Sequence, residues 1–259
     1  MSRNLALPGV GGVVLFVLLW EILVRLFASE LSTLPPPSAI AFGLVQIARS
    51  GVLLEETAHT LAATFIGWII SIAVGLTLGI ALGLSATARR YSLASIELLR
   101  PLPAVAFVPL ALLLFGFSLN MELLVIFYVA VWPVLVNTMA GVAGVPERLH
   151  DVARAVRLSR LEAVIKVFIP AAAPSVLVGC RLSLTLSLIL AVAAEMIGNP
   201  AGLGYAVVRE AQSLHPDLMF GYVFILGLIG IVLNGLLVGA AKIILPGEFM
   251  RPAIDWGGR

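Results

Sequence analysis

Residues 61–84 read LAATFIGWIISIAVGLTLGIALGL, a run that contains no charged side chain. An α-helix needs about 20 mostly apolar residues to cross the hydrocarbon core of a bilayer, so this run predicts a membrane-spanning helix. The whole chain has the same character, because 61% of its 259 residues are hydrophobic and only 12% are charged, against about 25% in soluble domains. So few charges cannot cover a water-exposed surface of this size. We therefore predict an all-α membrane protein with one transmembrane domain over residues 1–259.

Other apolar segments lie on both sides of this run. The third segment along the chain is short and contains Pro103 and Pro109, while the others are long enough to cross a membrane on their own. We therefore predict a bundle of six membrane-spanning helices. In chain order, the predicted spans are Val10–Ala28, Leu61–Leu84, Leu102–Phe117, Leu123–Val142, Val176–Ala194 and Tyr222–Leu245.

The basic residues set the predicted orientation, because Lys and Arg are enriched in short cytoplasmic loops. With the N-terminus in the cytoplasm, only Arg25, Arg49 and Arg209 of the 16 Lys and Arg residues fall on the outer side. The opposite orientation would reverse that ratio. We therefore predict that both termini are cytoplasmic.

Two outer loops are predicted to carry short helices. The prolines of Leu34-Pro35-Pro36-Pro37-Ser38 cannot continue a helix, and helical periodicity follows them over 39–49. In the second loop, the glycines of 198–204 predict turns, followed by an amphipathic helix over Ala206–Leu214.

The inner loop over residues 143–173 interleaves charged and apolar side chains at helical spacing. This pattern predicts two short helices that meet near Arg157-Leu158-Ser159. Ser159 is placed to cap the second helix, and Glu162 three residues later completes a capping box. A charged, half-apolar elbow of this kind either docks a soluble partner or lies on anionic lipid, and the pattern alone favours neither.

The same loop contains two short elements, Asp151-Val152-Ala153 and Val167-Phe168-Ile169-Pro170. With them the loop resembles the EAA loop of permease subunits of ATP-binding-cassette importers, whose Glu-Ala-Ala element corresponds to the first and whose Ile-x-Leu-Pro element corresponds to the second. Arg157 stands where that family has Gly, which would allow a tight bend between the two helices. The spacing of these elements matches throughout.

A second set of motifs resembles the nitrate, sulfonate, taurine and bicarbonate group of these permeases. The motifs are the prolines before Ser38, the segment 174–182 (PSVLVGCRL), Ala193-Ala194-Glu195-Met196, and Gly202-Leu203-Gly204-Tyr205. The resemblance implies a six-helix, type I importer permease with cytoplasmic coupling helices, in a bacterial inner membrane. It also implies that the solute is a small anion.

The resemblance further implies a set of partners. Two permease chains, identical or paralogous, would pair in the lipid bilayer, with a cytoplasmic ATPase subunit docked on each and a periplasmic or extracellular binding protein delivering the solute. The sequence contains no G-x-x-x-x-G-K-[ST] loop, so ATP and Mg would be bound by the ATPase partner and not by this chain. We therefore expect a transporter subunit that is not an enzyme, has no cofactor and binds no nucleic acid.

The resemblance and the polar residues of the spans give two sets of candidate site residues. The coupling residues are expected to contact the ATPase. Ala153 is one of them, and its small side chain is expected to let the ATPase surface approach closely. Each residue of the pathway set could instead have a structural role. That role is a hydrogen bond between helices for most of them, and capping of the loop that follows for Glu195. The coupling set is Asp151, Val152, Ala153, Arg154, Arg157, Ser159 and Pro170, and the pathway set is Trp132, Asn137, Ser183, Thr185, Ser187 and Glu195.

Three further features predict structure more than chemistry. The glycines at 67, 75, 79 and 83 form a small-residue stripe that lets two helices pack closely. The three histidines lie far apart in the sequence, so we expect no metal site. Cys180 is expected to be a small packing residue.

Two competing functions remain open. The chain could be a permease for another solute, such as a vitamin precursor or an amino acid, since Arg181, the basic residue farthest from the ends of a predicted span, lies near the inner end of its span and could be only an interfacial anchor. It could also be an intramembrane enzyme, although the sequence has neither H-E-x-x-H nor G-x-S-x-G.

Overall fold

The computed structural model describes residues 6–27 and 33–244, and side chains over 11–27 and 33–242. In the described residues the chain forms helices joined by short turns, and there is no strand. The helices are α1 (Ala6–Leu26), α2 (Pro37–Arg49), α3 (Leu53–Leu84), α4 (Ala86–Leu99), α5 (Phe107–Phe115), α6 (Leu119–Ala143), α7 (Glu147–Ala155), α8 (Arg160–Ala163), α9 (Ile169–Gly198), α10 (Gly202–Gln212) and α11 (Pro216–Ile244). A 3₁₀ turn, Ala104–Ala106, precedes α5, and a π-helical turn, Val164–Phe168, joins α8 to α9.

Four helical runs in the described residues are long and apolar enough to cross a membrane: Leu53–Leu84, Leu119–Ala143, Arg160–Gly198 and Pro216–Lys242. These runs confirm the second, fourth, fifth and sixth predicted spans. A fifth span is possible if α4 and the helical segment Ala104–Phe115, which bend by 71° at the break between them, are counted together. The first predicted span corresponds to the apolar helix α1, whose last predicted residue, Ala28, lies outside the described residues. The count of six and the side on which the termini lie stay predictions, since both chain ends are also outside them.

The predicted third span, Leu102–Phe117, is wrong as a single membrane-crossing helix. Its main helix, α5, has nine residues and is therefore about 14 Å long, less than half of a hydrocarbon core of about 30 Å. Pro103 stands at the start of the 3₁₀ turn, where it separates α5 from α4. Helix α4 was not predicted from the sequence, although Ser85 is a recognisable N-cap and accepts a hydrogen bond from the Ala88 amide at 3.2 Å.

The centre of the bundle is made by α3, α6 and α9 packed against one another. Their shared core is built from small and medium apolar side chains, which allow close approach of helices that have little hydrophobic driving force in lipid. α5 adds Val108 and Ala111 to this core. The fully buried members from the three central helices include Ala63, Met121, Val125, Ile126, Ala130, Ala191 and Ala194.

The glycine stripe of α3 makes a close helix contact, as predicted, and the helix that it faces is α6. A Cβ atom added at Gly75 would lie 2.7 Å from Val134 Cβ, and one added at Gly79 would lie 2.6 Å from Thr138 Cβ. Gly83 and Val142 make the same contact one turn further along. Because real Cβ atoms do not approach so closely, only glycine permits this spacing between the two helices.

The two predicted helices in the outer loops are confirmed as α2 and α10. They pack beside α11 in a second cluster, where Ile47 of α2 meets Leu203 and Val207 of α10 and Tyr222 of α11. α10 also contacts α3 and α9, so the loop before it is held over one end of the central bundle.

Candidate functional site

The elbow over residues 143–173 folds as predicted, into two short helices with a turn between them. Ser159 is the N-cap of α8, and its hydroxyl accepts a hydrogen bond from the Glu162 amide at 3.3 Å. Glu162 Oε2 in turn accepts from the Ser159 amide at 3.0 Å, which completes the capping box. Lys166 Nζ donates to the other Glu162 oxygen at 3.0 Å. The capping box therefore fixes where the second helix of the elbow begins.

Arg157 occupies the position that most strongly determines the bend. Its φ is +54°, in the left-handed region that favours glycine. The Leu158 amide donates to the Ala153 carbonyl at 3.0 Å and the Arg157 amide donates to the Arg154 carbonyl at 3.0 Å, which is the Schellman pattern at a helix C-terminus. The bend between the two helices is therefore present here, with an arginine in the left-handed conformation that glycine adopts most readily.

Replacement of this arginine by glycine is expected to stabilise the elbow. Arg157→Gly removes a left-handed non-glycine residue, whose conformation costs roughly 1–2 kcal/mol, while Arg157→Ala removes the same side chain and keeps the strain. We expect a higher melting temperature for Arg157→Gly than for Arg157→Ala in purified protein. Equal melting temperatures would show that the arginine is not strained at this position.

The elbow exposes apolar side chains next to charged ones. Val152 is 52% exposed and Leu161 is 69% exposed, and Val156 and Ile165 are similarly open. Asp151 and Arg154 form an exposed ion pair at 2.5 Å on the same helix. A groove of about 880 Å³ runs between α7 and α8, from Leu84 and Ser85 to Phe168. This surface has the mixed apolar and charged character of a protein-docking surface.

One expectation for the elbow is wrong. Ala153 was expected to be a surface contact, but its side chain is only 5% exposed and packs with Val145, Ala163 and Phe168 in a small core of the elbow itself. The pattern of polar and apolar residues on so short a helix does not show which of its faces is buried when the chain turns back at Arg157. A bulky residue at Ala153 would therefore disrupt the elbow before any partner arrived. Pro170, by contrast, is exposed in the first turn of α9.

Two predicted pathway residues are instead structural. Ser183 is fully buried and its hydroxyl donates to the Ala130 carbonyl of α6 at 2.7 Å. Ser187 is also fully buried and donates to the Ser183 carbonyl at 2.8 Å. Their assignment to a pathway is wrong, because both hydroxyls are satisfied inside the bundle.

The other polar candidates on α6 and α9 are more accessible. Trp132 and Asn137 are half-buried, and Asn137 Nδ2 donates to the Pro133 carbonyl at 2.8 Å. Thr185 is exposed and donates to the Arg181 carbonyl at 3.2 Å. One turn away, Arg181 Nε donates to Asn234 Oδ1 of α11 at 2.8 Å. Cys180 is buried, as expected of a packing residue.

Arg181 and Asn234 line a cleft of about 160 Å³ between α9 and α11, whose other walls are mostly apolar. Arg181 is exposed, so its guanidinium is not enclosed by the bundle. A guanidinium presents five N–H donors in a planar fork that matches oxyanions. The position of Arg181 near the inner end of its predicted span left open whether it is only an anchor, and its partner Asn234, 53 residues away on α11, is seen only in the structure.

Glu195 was expected either to line the pathway or to cap the loop after α9, and the structure shows the second. Its side chain is only 1% exposed, so the pathway assignment is wrong. Glu195 Oε2 accepts a hydrogen bond from the Gly204 amide at 2.7 Å. Gly202, with φ +88°, and Gly204 leave room for the carboxylate, since a Cβ atom at either position would collide with it.

Glu195 belongs to a buried polar cluster that the sequence did not reveal. His59 Nε2 lies 2.9 Å from Glu122 Oε1, and the Asn199 amide nitrogen donates to the same oxygen. One potential ligand atom from each of His59, Glu122 and Glu195 lies within 4.8 Å of the others. These residues come from α3, α6 and α9, so the fold unites groups that are scattered along the chain. The signal available in the sequence was the carboxylate of Glu122, which lies in the first turn of α6.

Sequence comparisons agree with this architecture. The model of the family described as "binding-protein-dependent transport system inner membrane component" matches residues 71–248. A protein of Methanocaldococcus jannaschii, provisionally named an ABC transporter permease, is 35% identical over 85% of this chain and 84% of its own length. The nitrate import permease protein NrtB of Leptolyngbya laminosa is 31% identical over 76% of this chain and 70% of its own. The taurine transport system permease protein TauC of Escherichia coli is 29% identical over 90% and 86%.

The fold is also similar to that of a solved structure. A chain from an inward-facing conformation of the MetNI methionine ABC transporter superimposes with a TM-score of 0.64, covering 76% of this chain and 96% of that one. The two sequences are 19% identical, so the likeness concerns the fold alone. Together with the family match and the relatives, it identifies a multi-pass membrane subunit of an ABC importer and not an enzyme. The chain belongs to the family of inner membrane components of binding-protein-dependent transport systems.

Proposed function

We propose that this permease forms the membrane pathway of an importer for a small oxyanion and is driven by a separate ATPase. The single observation that carries the choice of solute is Arg181, an exposed arginine held by Asn234 in the cleft between α9 and α11. A charge within a membrane-spanning helix is costly and is therefore a functional candidate. The names of relatives, which include nitrate import and taurine transport permeases, support the same class of solute.

The elbow is the proposed docking surface for the ATPase. Its exposed apolar residues and its charges lie on the side of the chain that carries most of the Lys and Arg residues, which is the predicted cytoplasmic side. We infer a complex of two permease chains and two ATPase chains that bind ATP and Mg. A binding protein would deliver the solute at the opposite face, and both termini would lie in the cytoplasm.

The test is ATP-driven uptake by the permease reconstituted with its ATPase and its binding protein in proteoliposomes. Nitrate, bicarbonate, taurine and an alkyl sulfonate are each offered at equal concentration, beside an amino acid and a thiamine precursor. We expect one of the oxyanion solutes to be taken up. Uptake confined to the amino acid or the thiamine precursor would favour the competing permease function.

The arginine itself can be tested in the same assay. Arg181→Met is expected to lower uptake about ten- to a hundredfold, because a hydrogen bond to a charged group contributes about 1.5–3 kcal/mol. Lys242→Met removes a basic residue at the far end of α11 and should transport normally. The melting temperatures of both variants should match the parent, since Arg181 is exposed. Unchanged uptake by Arg181→Met would make this arginine only an anchor.

A further inference from the structure

The buried cluster of His59, Glu122, Glu195 and Asn199 has no role in the proposed pathway, and its hydrogen bonds are incomplete. Glu122 is fully buried and Glu195 is 1% exposed, yet Glu122 Oε2 and Glu195 Oε1 have no hydrogen-bond partner among the described residues. Buried carboxylate oxygens are almost always satisfied in folded proteins. Two orphaned oxygens in one cluster therefore indicate that a ligand completes it.

The charges of the cluster are also unbalanced. Two carboxylates face one imidazole, and the side chain of His59 is 26% exposed while that of Glu122 is completely buried. Arg209, on α10 at the same end of the bundle, does not compensate them, because it pairs with Glu56 at 3.3 Å and with Glu210 at 3.1 Å. Burying two carboxylates beside a single base is unfavourable unless a cation or a proton neutralises one of them.

We propose that His59, Glu122 and Glu195 bind one divalent transition-metal cation, of which zinc is the natural probe. One imidazole nitrogen and two carboxylate oxygens form a ligand set that zinc accepts, at bond lengths of about 2.0–2.2 Å. The three ligand atoms lie within 4.8 Å of one another, so small side-chain movements bring them to a common centre. An imidazole in the set favours a transition metal over magnesium or calcium, which prefer oxygen ligands alone.

The surroundings of the cluster fit a bound cation. Glu195 is oriented from behind by the Gly204 amide at 2.7 Å, and the Leu203 amide donates to Thr60 Oγ1 at 2.9 Å beside His59. Such outer hydrogen bonds hold ligands in place. The partly exposed ring of His59 leaves a route for the ion from solvent. The cation would join α3, α6 and α9 where they meet the loop before α10.

The experiment measures metal bound to the full-length permease, purified through an affinity tag without histidines and stripped with a chelator. After incubation with zinc alone and removal of the free ion, we expect about one zinc per chain by mass spectrometry. Glu122→Gln and His59→Gln should each bind zinc at least tenfold more weakly. His215→Gln, which changes an exposed histidine on the turn after α10, should bind it normally. Zinc should also raise the melting temperature of the parent and of His215→Gln but of neither cluster variant.

Three results would overturn the proposal. The first is a parent protein that keeps less than about a tenth of one zinc per chain. The second is zinc bound equally by the parent and by both cluster variants, which would mean adventitious surface binding. The third is a metal-free parent that Glu122→Gln stabilises, since the cluster would then hold a proton where the cation is proposed. If Glu122→Gln does not fold, His59→Gln at the rim of the cluster decides the matter alone.

Discussion

A permease carrying both Val152→Asp and Leu161→Asp is expected to lose its ATPase partner and nearly all ATP-driven uptake. Both side chains are more than half exposed on the elbow although they are apolar. Burying a Val or Leu side chain contributes about 1.5–3 kcal/mol, and an unpaired carboxylate in its place opposes binding further. The combined change is large enough to dissociate a micromolar or weaker complex. Neither residue lies in the elbow's small core, so the elbow itself should remain folded.

The measurement is co-purification of the ATPase with the permease, followed by uptake in proteoliposomes. Leu214→Asp is the matched control, because Leu214 is 83% exposed at the opposite end of the molecule, after α10. It should keep the ATPase at the parental level. If the double variant also keeps its ATPase and transports normally, the elbow is not the coupling surface. The alternative, that this loop lies on anionic lipid, would then hold.

The second large effect is expected from the contact between α3 and α6. Gly79→Leu places a Cβ 2.6 Å from Thr138 Cβ and 2.9 Å from the Leu135 carbonyl oxygen, and neither neighbour is the end of a flexible side chain. The two helices must separate along their whole interface. Overpacking by one or two methylene groups destabilises a protein by about 1–3 kcal/mol. A leucine here is therefore expected to lower the free energy of unfolding by more than about 3 kcal/mol, which corresponds to a decrease of roughly 10 °C in melting temperature.

Gly227→Leu is the matched control for that variant, because a Cβ at Gly227 in α11 meets no heavy atom within 4 Å. Both proteins would be expressed in parallel and compared by thermal denaturation in detergent. We expect a normal melting temperature for Gly227→Leu and a melting temperature lower by roughly 10 °C or more for Gly79→Leu. Equal stability of the two variants would show that α3 and α6 are not held at the spacing described.

The parts of this fold that were predicted correctly are those with a local physical signal. Ser159 and Glu162 lie three residues apart, and a capping box needs nothing beyond them. The helix that begins at the last of the prolines 35–37 and the helix that begins at Gly202 follow from the same kind of turn chemistry. The glycine stripe likewise predicted a close helix contact, although not its partner, α6.

The parts that could not be predicted depend on which residues the fold brings together. His59, Glu122 and Glu195 are more than 60 residues apart in sequence, so no spacing rule could relate them. Ser183 was polar and within a span, but only the position of Ala130 shows that its hydroxyl is already used. The prediction of the third span is wrong for another reason. Hydropathy averaged over a segment does not reveal that the helix is interrupted at Pro103.

The joining of α8 to α9 has a mechanical consequence. Through the π-helical turn the two form one helical run, Arg160–Gly198, of 39 residues, which is about 58 Å long. The elbow lies at one end of this helical run, and Glu195 lies near the other end. If the ATPase docks on the elbow as proposed, a displacement there would reach the Glu195 end through continuous helix, with no loop between the two ends. Two features interrupt the regular α-helical hydrogen bonding of this run, the π-helical turn Val164–Phe168 and Pro174, so bending of the run is expected at these two places.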